Sequence, residues 1–266
     1  MDDLPSDGLD ARRGPAAEPT DGRFGTSRTD AVTLIDTYRV DAARVVVIPH
    51  GAETGGAAQA FAPGDVSRTI LTWGLLGPGK GIEWAIASLG RLRDVRPTVR
   101  YLVAGQTHPR VLAQHGESYR SYLYRQAGRF GVTGMVDFDP EYRTASALSA
   151  WVRGARVVLL PYDSPVQTTS GVLVEAVAAG RPVVATDFPH ARELLAGGVG
   201  LLVPRRDPSA LAHAVRRVLT EPGLAGALSE RCASIAAQFD WSVVAERYRA
   251  LAGALVVADA ERRVAT

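Results

Sequence analysis

Short apolar runs, each followed by a glycine-rich or polar loop and then by a pattern of helical period, constrain this chain more than any other feature. Runs at 69–73, 99–103, 135–138, 156–160, 183–185 and 200–203 alternate with helical patterns near 81–93, 118–130, 144–152, 190–195 and 208–220, plus one that begins at Ser170. Strands this uniformly apolar must be covered on both faces, and strands joined through helices run parallel. The chain is therefore read as α/β, a doubly wound parallel sheet of the Rossmann-like type. Ligands of such sheets bind outside the carboxyl ends of the strands. The loops at Gly74, Gly105, Pro161 and Thr186 are expected to line one cleft.

The stretch 161–186 is the most informative of these units. Thr168, Thr169 and Ser170 are helix-capping residue types, and Val172, Leu173, Ala176 and Val177 share one helical face. Gly180 suits the left-handed turn that ends the helix, and Pro182 cannot continue it. Helix side chains lean toward the N-terminus, so Glu175 can project over the end where Ser170 and Gly171 present unpaired amides. Amides suit a phosphate, and a carboxylate suits a pair of sugar hydroxyls. The combination predicts a nucleotide or nucleotide-sugar ligand. Spacing alone leaves the alternative that Glu175 is a solvated helix residue.

Other chemistries are disfavoured. Gly77-Pro78-Gly79-Lys80-Gly81 lacks the first glycine and the final Ser or Thr of a P-loop, which argues against kinase or ATPase chemistry. Lys80 is nevertheless the single lysine of a chain that otherwise uses arginine. A compact ammonium at a strand end can meet a diphosphate as a point charge. Ser170 lacks the Gly-x-Ser-x-Gly context of a nucleophile elbow. His50, His108 and His190 read as loop hydrogen-bonding groups, and nothing has the spacing of a zinc site, so no metal is expected. A formal net charge of +2 gives no nucleic-acid footprint. The lone Cys232, a helix-face thiol, excludes a disulfide framework, and no apolar run reaches membrane-span length. The expected location is the cytoplasm.

Three parts are expected along the chain: a disordered segment at 1–30, a nucleotide-sugar-binding domain at 31–256 that opens with a helix and a buried strand at 44–48, and a frayed tail at 257–266. The stretch from Phe239 to Tyr248, with Trp241 near its start, reads as an amphipathic helix packed on the domain.

Taken in order, several motifs resemble the C-terminal, donor-binding half of GT-B retaining glycosyltransferases, the large group that includes sucrose and trehalose synthases and many mannosyltransferases. The resemblance runs from about Val45 to Tyr248. It is carried by Val47-Ile48-Pro49-His50-Gly51, the loop from Gly74 to Gly81, Val103 to Gly105, Gln167 to Gly180, Gly200-Leu201-Leu202-Val203-Pro204 with Asp207-Pro208, and Trp241. It implies a single GT-B half that binds a nucleotide-diphosphate sugar through Gly79, Lys80, Gly105, Ser170, Gly171, Val172, Glu175 and His190. Lys80, on the diphosphate, and Gln167, near the transferred sugar, would be the catalytic residues. The family signature pairs two glutamates with seven residues between them. Glu175 matches the second, on the ribose, whereas Gln167 stands at the first, near the transferred sugar. Leu75 replaces the usual arginine partner of Lys80, and Glu193 matches a glutamate that follows a glycine pair, replaced here around Phe188 and Pro189.

The implied reaction is transfer with retention to an unknown acceptor, without a cofactor or required metal. The leaving nucleoside diphosphate would be stabilised by Lys80 and by amides near Ser170 and Gly171. GT-B enzymes place the active site between two such domains. A separate N-terminal acceptor-binding domain or subunit is therefore an expected partner. Gln167, Leu75 and the missing first domain support another reading, a noncatalytic nucleotide-sugar-binding module or a remnant of a transferase. A GT-B epimerase or phosphorylase is a third.

Overall fold

The computed structural model describes residues 23–55 and 68–264. In chain order the elements are β1 (Arg23–Gly25), α1 (Arg28–Asp36), β2 (Val45–Val47), β3 (Thr69–Trp73), α2 (Ile82–Leu89), β4 (Arg100–Ala104), α3 (Pro109–His115), α4 (Ser118–Arg129) and β5 (Val136–Asp139). They continue with α5 (Ala145–Gly154), β6 (Val157–Leu160), α6 (Gly171–Ala178), β7 (Val183–Thr186), α7 (Pro189–Leu194), β8 (Leu201–Val203), α8 (Pro208–Thr220), α9 (Leu224–Ala236) and α10 (Trp241–Val264).

Six of the strands form one sheet in the order β5-β4-β3-β6-β7-β8. Every neighbouring pair is parallel. This is the doubly wound arrangement expected from the alternation. The order reverses between β3 and β6, where the outgoing loops diverge and leave a crevice.

The alternation of side chains along each strand divides the core in two. Ile70, Tyr101, Val157 and Val184 face α2, α4 and α8, while Leu71, Trp73, Val158 and Ala185 face α5, α6 and the buried Cys232 of α9. All five residues of β3 are buried, as a central strand covered on both sides requires. Burial pushes the Cys232 thiol up to about 11, so it is a packing group.

Four expectations change. The run at 44–48 was expected as a buried strand. Its core, β2, instead pairs in parallel with β1 in a separate two-stranded sheet, and Val46 and Val47 are exposed because no second layer covers them among the described residues. The disordered segment was drawn to residue 30, yet β1 and the first turn of α1 lie inside it; residues 1–22 lie outside the described residues. The stretch 109–115, read as loop, is helix α3, started by Pro109 with His108 as its cap. The tail drawn from 257 is helical backbone as far as Val264. The stretch Phe239–Tyr248, expected as a single helix, is helical from Trp241, after a 3-10 turn that ends at Phe239, and Trp241 itself is half exposed.

Candidate functional site

At the switch point the loops leaving β3 and β6 are held together by backbone. Asp163 N–H donates to the Gly79 carbonyl at 2.9 Å. Gly81 sits in the left-handed region at φ 65°, and an added Cβ there would lie 1.8 Å from the Pro161 carbonyl oxygen. Lys80 is fixed between these contacts. Its Nζ lies 4.5 Å from the centroid of the Tyr162 ring, an attraction to the ring face. No carboxylate pairs with it among the described residues, since neighbouring Asp163 is engaged by Arg205 and Arg206. Burial without a countercharge lowers the Lys80 pKa. Tyr162 is itself held, stacked on Phe188 at 5.1 Å, with its carbonyl accepting from Thr186 Oγ1 at 2.6 Å. Thr186 is thus a buried brace under the cleft and lines none of it.

The start of α6 supplies the second anion-compatible group. Ser170 is the N-cap, its Oγ accepting from Leu173 N–H at 3.2 Å. Its own amide was expected to face a ligand, but donates to Nδ1 of His190 at 2.8 Å. That bond fixes the tautomer, with the ring hydrogen on Nε2. Burial lowers the His190 pKa and favours this neutral form. His190 therefore serves the loop from behind. The amides of Gly171 and Val172 have no acceptor among the described residues. His50 closes the same end: its Nε2 would lie 2.8 Å from a Cβ on Gly171, and its Nδ1 is 2.6 Å from the Gly51 carbonyl.

Glu175, one turn further along α6, points into the same region. Its Oε2 accepts from the indole Nε1–H of Trp73 at 3.2 Å. Burial raises its pKa, and the indole hydrogen bond opposes that rise. Glu175 lines a cavity of about 210 Å³ together with Glu53, Ser149 and Trp241. A neighbouring pocket of about 160 Å³ is formed by Trp73, Gly74, Leu75, Gly105, Tyr142 and Leu148. Gly105 has φ 132°, and a Cβ there would meet the Gly74 carbonyl at 2.1 Å, so this floor requires glycine. Its carbonyl is held by Arg120 Nη2 at 2.8 Å.

Gln167 is committed to its own loop, donating from Nε2 to the Thr169 carbonyl at 2.7 Å. Glu193 caps α1 instead of facing the cleft. It accepts from Arg28 N–H at 2.8 Å and from the amide and hydroxyl of Thr29, both at 3.0 Å. Ser27 Oγ completes the clamp by donating to the Thr168 carbonyl at 2.7 Å. Glu193→Ala is expected to speed amide hydrogen exchange in α1 by roughly tenfold, one charged cap of about 1–2 kcal/mol. Exchange in β3 should stay unchanged. Unaltered α1 exchange would show that the clamp contributes nothing.

Sequence reasoning missed Trp73, Tyr142, Arg120 and the contact at the start of α1 in which Asp30 Oδ2 accepts from the amide of Thr26 at 3.0 Å and from its hydroxyl at 2.7 Å. Ser27 and Asp30 do carry a readable sign, a serine followed three residues later by an acid, the pattern that opens a helix. Among the described residues no group of three or more His, Cys, Asp or Glu could hold a metal ion. No described helix is long and apolar enough to cross a membrane.

The family profile described as "Glycosyl transferases group 1" matches residues 67–221, which contain Lys80, Gly105, the Ser170 loop and Glu175. The chain belongs to the group 1 glycosyltransferases. It is 30% identical over 227 residues to a D-inositol 3-phosphate glycosyltransferase of Frankia alni, covering 80% of this chain and 53% of that protein. It is 31% identical over 218 residues to a phosphatidyl-myo-inositol mannosyltransferase of Mycolicibacterium smegmatis, covering 79% and 53%. The chain thus spans about half the length of the curated relatives it matches. Among solved structures, Anabaena HepE in complex with UDP and glucose superposes with a TM-score of 0.73 at 20% identity, over 87% of this chain and 62% of that one. Sucrose-phosphate synthase from Thermosynechococcus elongatus gives 0.72 at 23%, over 88% and 58%. These likenesses show a shared fold, the doubly wound half of GT-B glycosyltransferases. Leu75, in the wall of the smaller pocket, is exposed.

Proposed function

We propose that this chain is the donor-binding half of a glycosyltransferase that takes a sugar from a nucleoside-diphosphate sugar and transfers it with retention. What supports the reading is a set of groups on the loops and helix around the reversal of the sheet: an ammonium without a countercharge at Lys80, two amides without an acceptor at the start of α6, and, one turn along, the Glu175 carboxylate with one oxygen engaged by Trp73 and the other open. A diphosphate supplies the anion, and a ribose supplies hydroxyl donors for the carboxylate. As the glycosidic bond breaks, negative charge grows on the leaving phosphate oxygen, and donors already aimed there stabilise the transition state more than the ground state. Lys80 and the amides of Gly171 and Val172 fill that role. Glu175 anchors the nucleoside, and the apolar pocket walled by Trp73, Leu75 and Tyr142 suits the flat face of a base. The relative named for D-inositol 3-phosphate makes a phosphorylated polyol the first acceptor to try, and the one named for phosphatidyl-myo-inositol makes an inositol phospholipid the second.

Gln167 supports the other reading, a module that binds a nucleotide sugar without turning it over. Its carboxamide carries no charge, and its N–H is occupied within the loop. Calorimetric titration with UDP, GDP, ADP and their sugar conjugates separates the possibilities. Binding of one nucleotide family, weakened roughly tenfold or more by Glu175→Ala, is the expected result. Absence of binding by any of them would remove the donor-site reading. Release of free nucleoside diphosphate from the bound conjugate would favour the transferase over the binding module.

A further inference from the structure

Trp73 ends β3, the strand beside which the sheet order reverses, and its side chain is only 3% exposed. An indole N–H can only donate, and leaving it buried and unpaired costs the desolvation of one polar group. Here its partner is a carboxylate on a different element, Oε2 of Glu175 at 3.2 Å. Oε1 of Glu175 accepts no hydrogen bond among the described residues, yet it is not a buried orphan. It therefore opens onto space. The pair also joins the two cavities: Glu175 lines the larger and Trp73 the smaller. A residue needed only to fill the core at this position would require no donor.

The carboxylate faces opposing demands. Burial favours its neutral form, while Glu53, a second carboxylate close by, acts in the same direction and His50 acts against it. A neutral carboxyl group would hold a proton on an oxygen that must accept. The indole N–H favours the ionised form and pins one oxygen, which fixes the plane of the group.

We propose that Trp73 is a positioning residue for the nucleoside, holding Glu175 through one oxygen so that the other is presented, ionised and oriented, to the ribose hydroxyls. The inference rests on the reading of Glu175 as the ribose ligand. It adds that the strength of ribose recognition is set from β3, by a residue that touches the hydroxyls only through Glu175.

The test is titration of wild type, Trp73→Phe, Glu175→Gln and the double variant with UDP, GDP and ADP, each against its 2′-deoxy and 3′-deoxy forms, and with inorganic diphosphate. Wild type is expected to favour a ribonucleotide over its deoxy forms by roughly tenfold or more. Trp73→Phe keeps an apolar ring in the pocket wall and should cut that preference about fivefold, with diphosphate affinity unchanged. Because Trp73 acts through Glu175, the double variant should show no less preference than Glu175→Gln alone. Should the phenylalanine variant not fold, Trp73→Leu serves the same comparison. Equal weakening of ribo- and deoxynucleotides by the Trp73 variant, or additive losses in the double variant, would overturn the inference while leaving Glu175 on the ribose. A wild type that binds none of the nucleotides, or binds both sugar forms alike, would overturn the ribose assignment and this inference with it.

Discussion

Lys80→Ala is expected to lower affinity for a nucleoside diphosphate several hundredfold and any turnover by a similar or larger factor, the loss of one preorganised charged donor of about 3–4 kcal/mol. The fold should not suffer. Burial without a countercharge lowers the Lys80 pKa, so the folded protein holds this proton less tightly than the unfolded chain. The resulting cost to stability is present in full below the folded pKa. It is relieved as pH rises through that value toward 10.5, the ordinary lysine value. Removing the ammonium removes the cost, and at neutral pH the melting temperature of Lys80→Met should be unchanged or higher. Opposite signs for binding and stability mark a group kept for its ligand. A Lys80→Ala protein that binds or turns over as wild type would sink the donor-site reading.

Gly81→Ala should be the most damaging single methyl group in the cleft. The residue sits at φ 65° and ψ 18° as the start of α2, and the new Cβ would lie 1.8 Å from the Pro161 oxygen and 2.9 Å from its carbonyl carbon. Both neighbours are backbone, so relief requires the β3 and β6 loops to part. A left-handed conformation adds about 1 kcal/mol of its own. Together these predict a loss of about 3 kcal/mol or more, a fall in melting temperature of roughly 6–12 °C for a chain of this size. Nucleotide affinity should fall as well, because parting the loops displaces Lys80. Gly90→Ala is the matched control: that glycine has φ −55° at the end of α2 and open space where a Cβ would go, so the change should be neutral or slightly stabilising. Equal effects at the two positions would mean that the close approach at Pro161 does not govern stability.

The parts of this protein that follow from local chemistry were legible in its sequence. Alternation of apolar runs with helical patterns specified a parallel sheet, because such strands have no solvated face. The cap at Ser170, the turn at Gly180 and the proline start of α8 follow from hydrogen-bonding and backbone preferences within a few residues. Lys80 stood out as the single lysine, and its loop does lie at the switch point.

What the sequence could not show depends on groups far apart in the chain sharing one place. The Ser170 amide looked free because its acceptor, His190, comes twenty residues later and belongs to another helix. Glu193 matched a family glutamate by position, but the amides it caps come more than 160 positions earlier. The run around β2 has the composition of a core strand, and its exposure depends on which strand it pairs with. Trp73 read only as one more apolar residue of β3. Its hydrogen bond to Glu175 spans 102 positions and exists because β3 and the start of α6 meet at the reversal of the sheet. Hydrophobic period and capping are short-range and leave a mark in the sequence. The partner of a buried donor or charge is chosen by topology, so the tertiary structure alone decided how this cleft is wired.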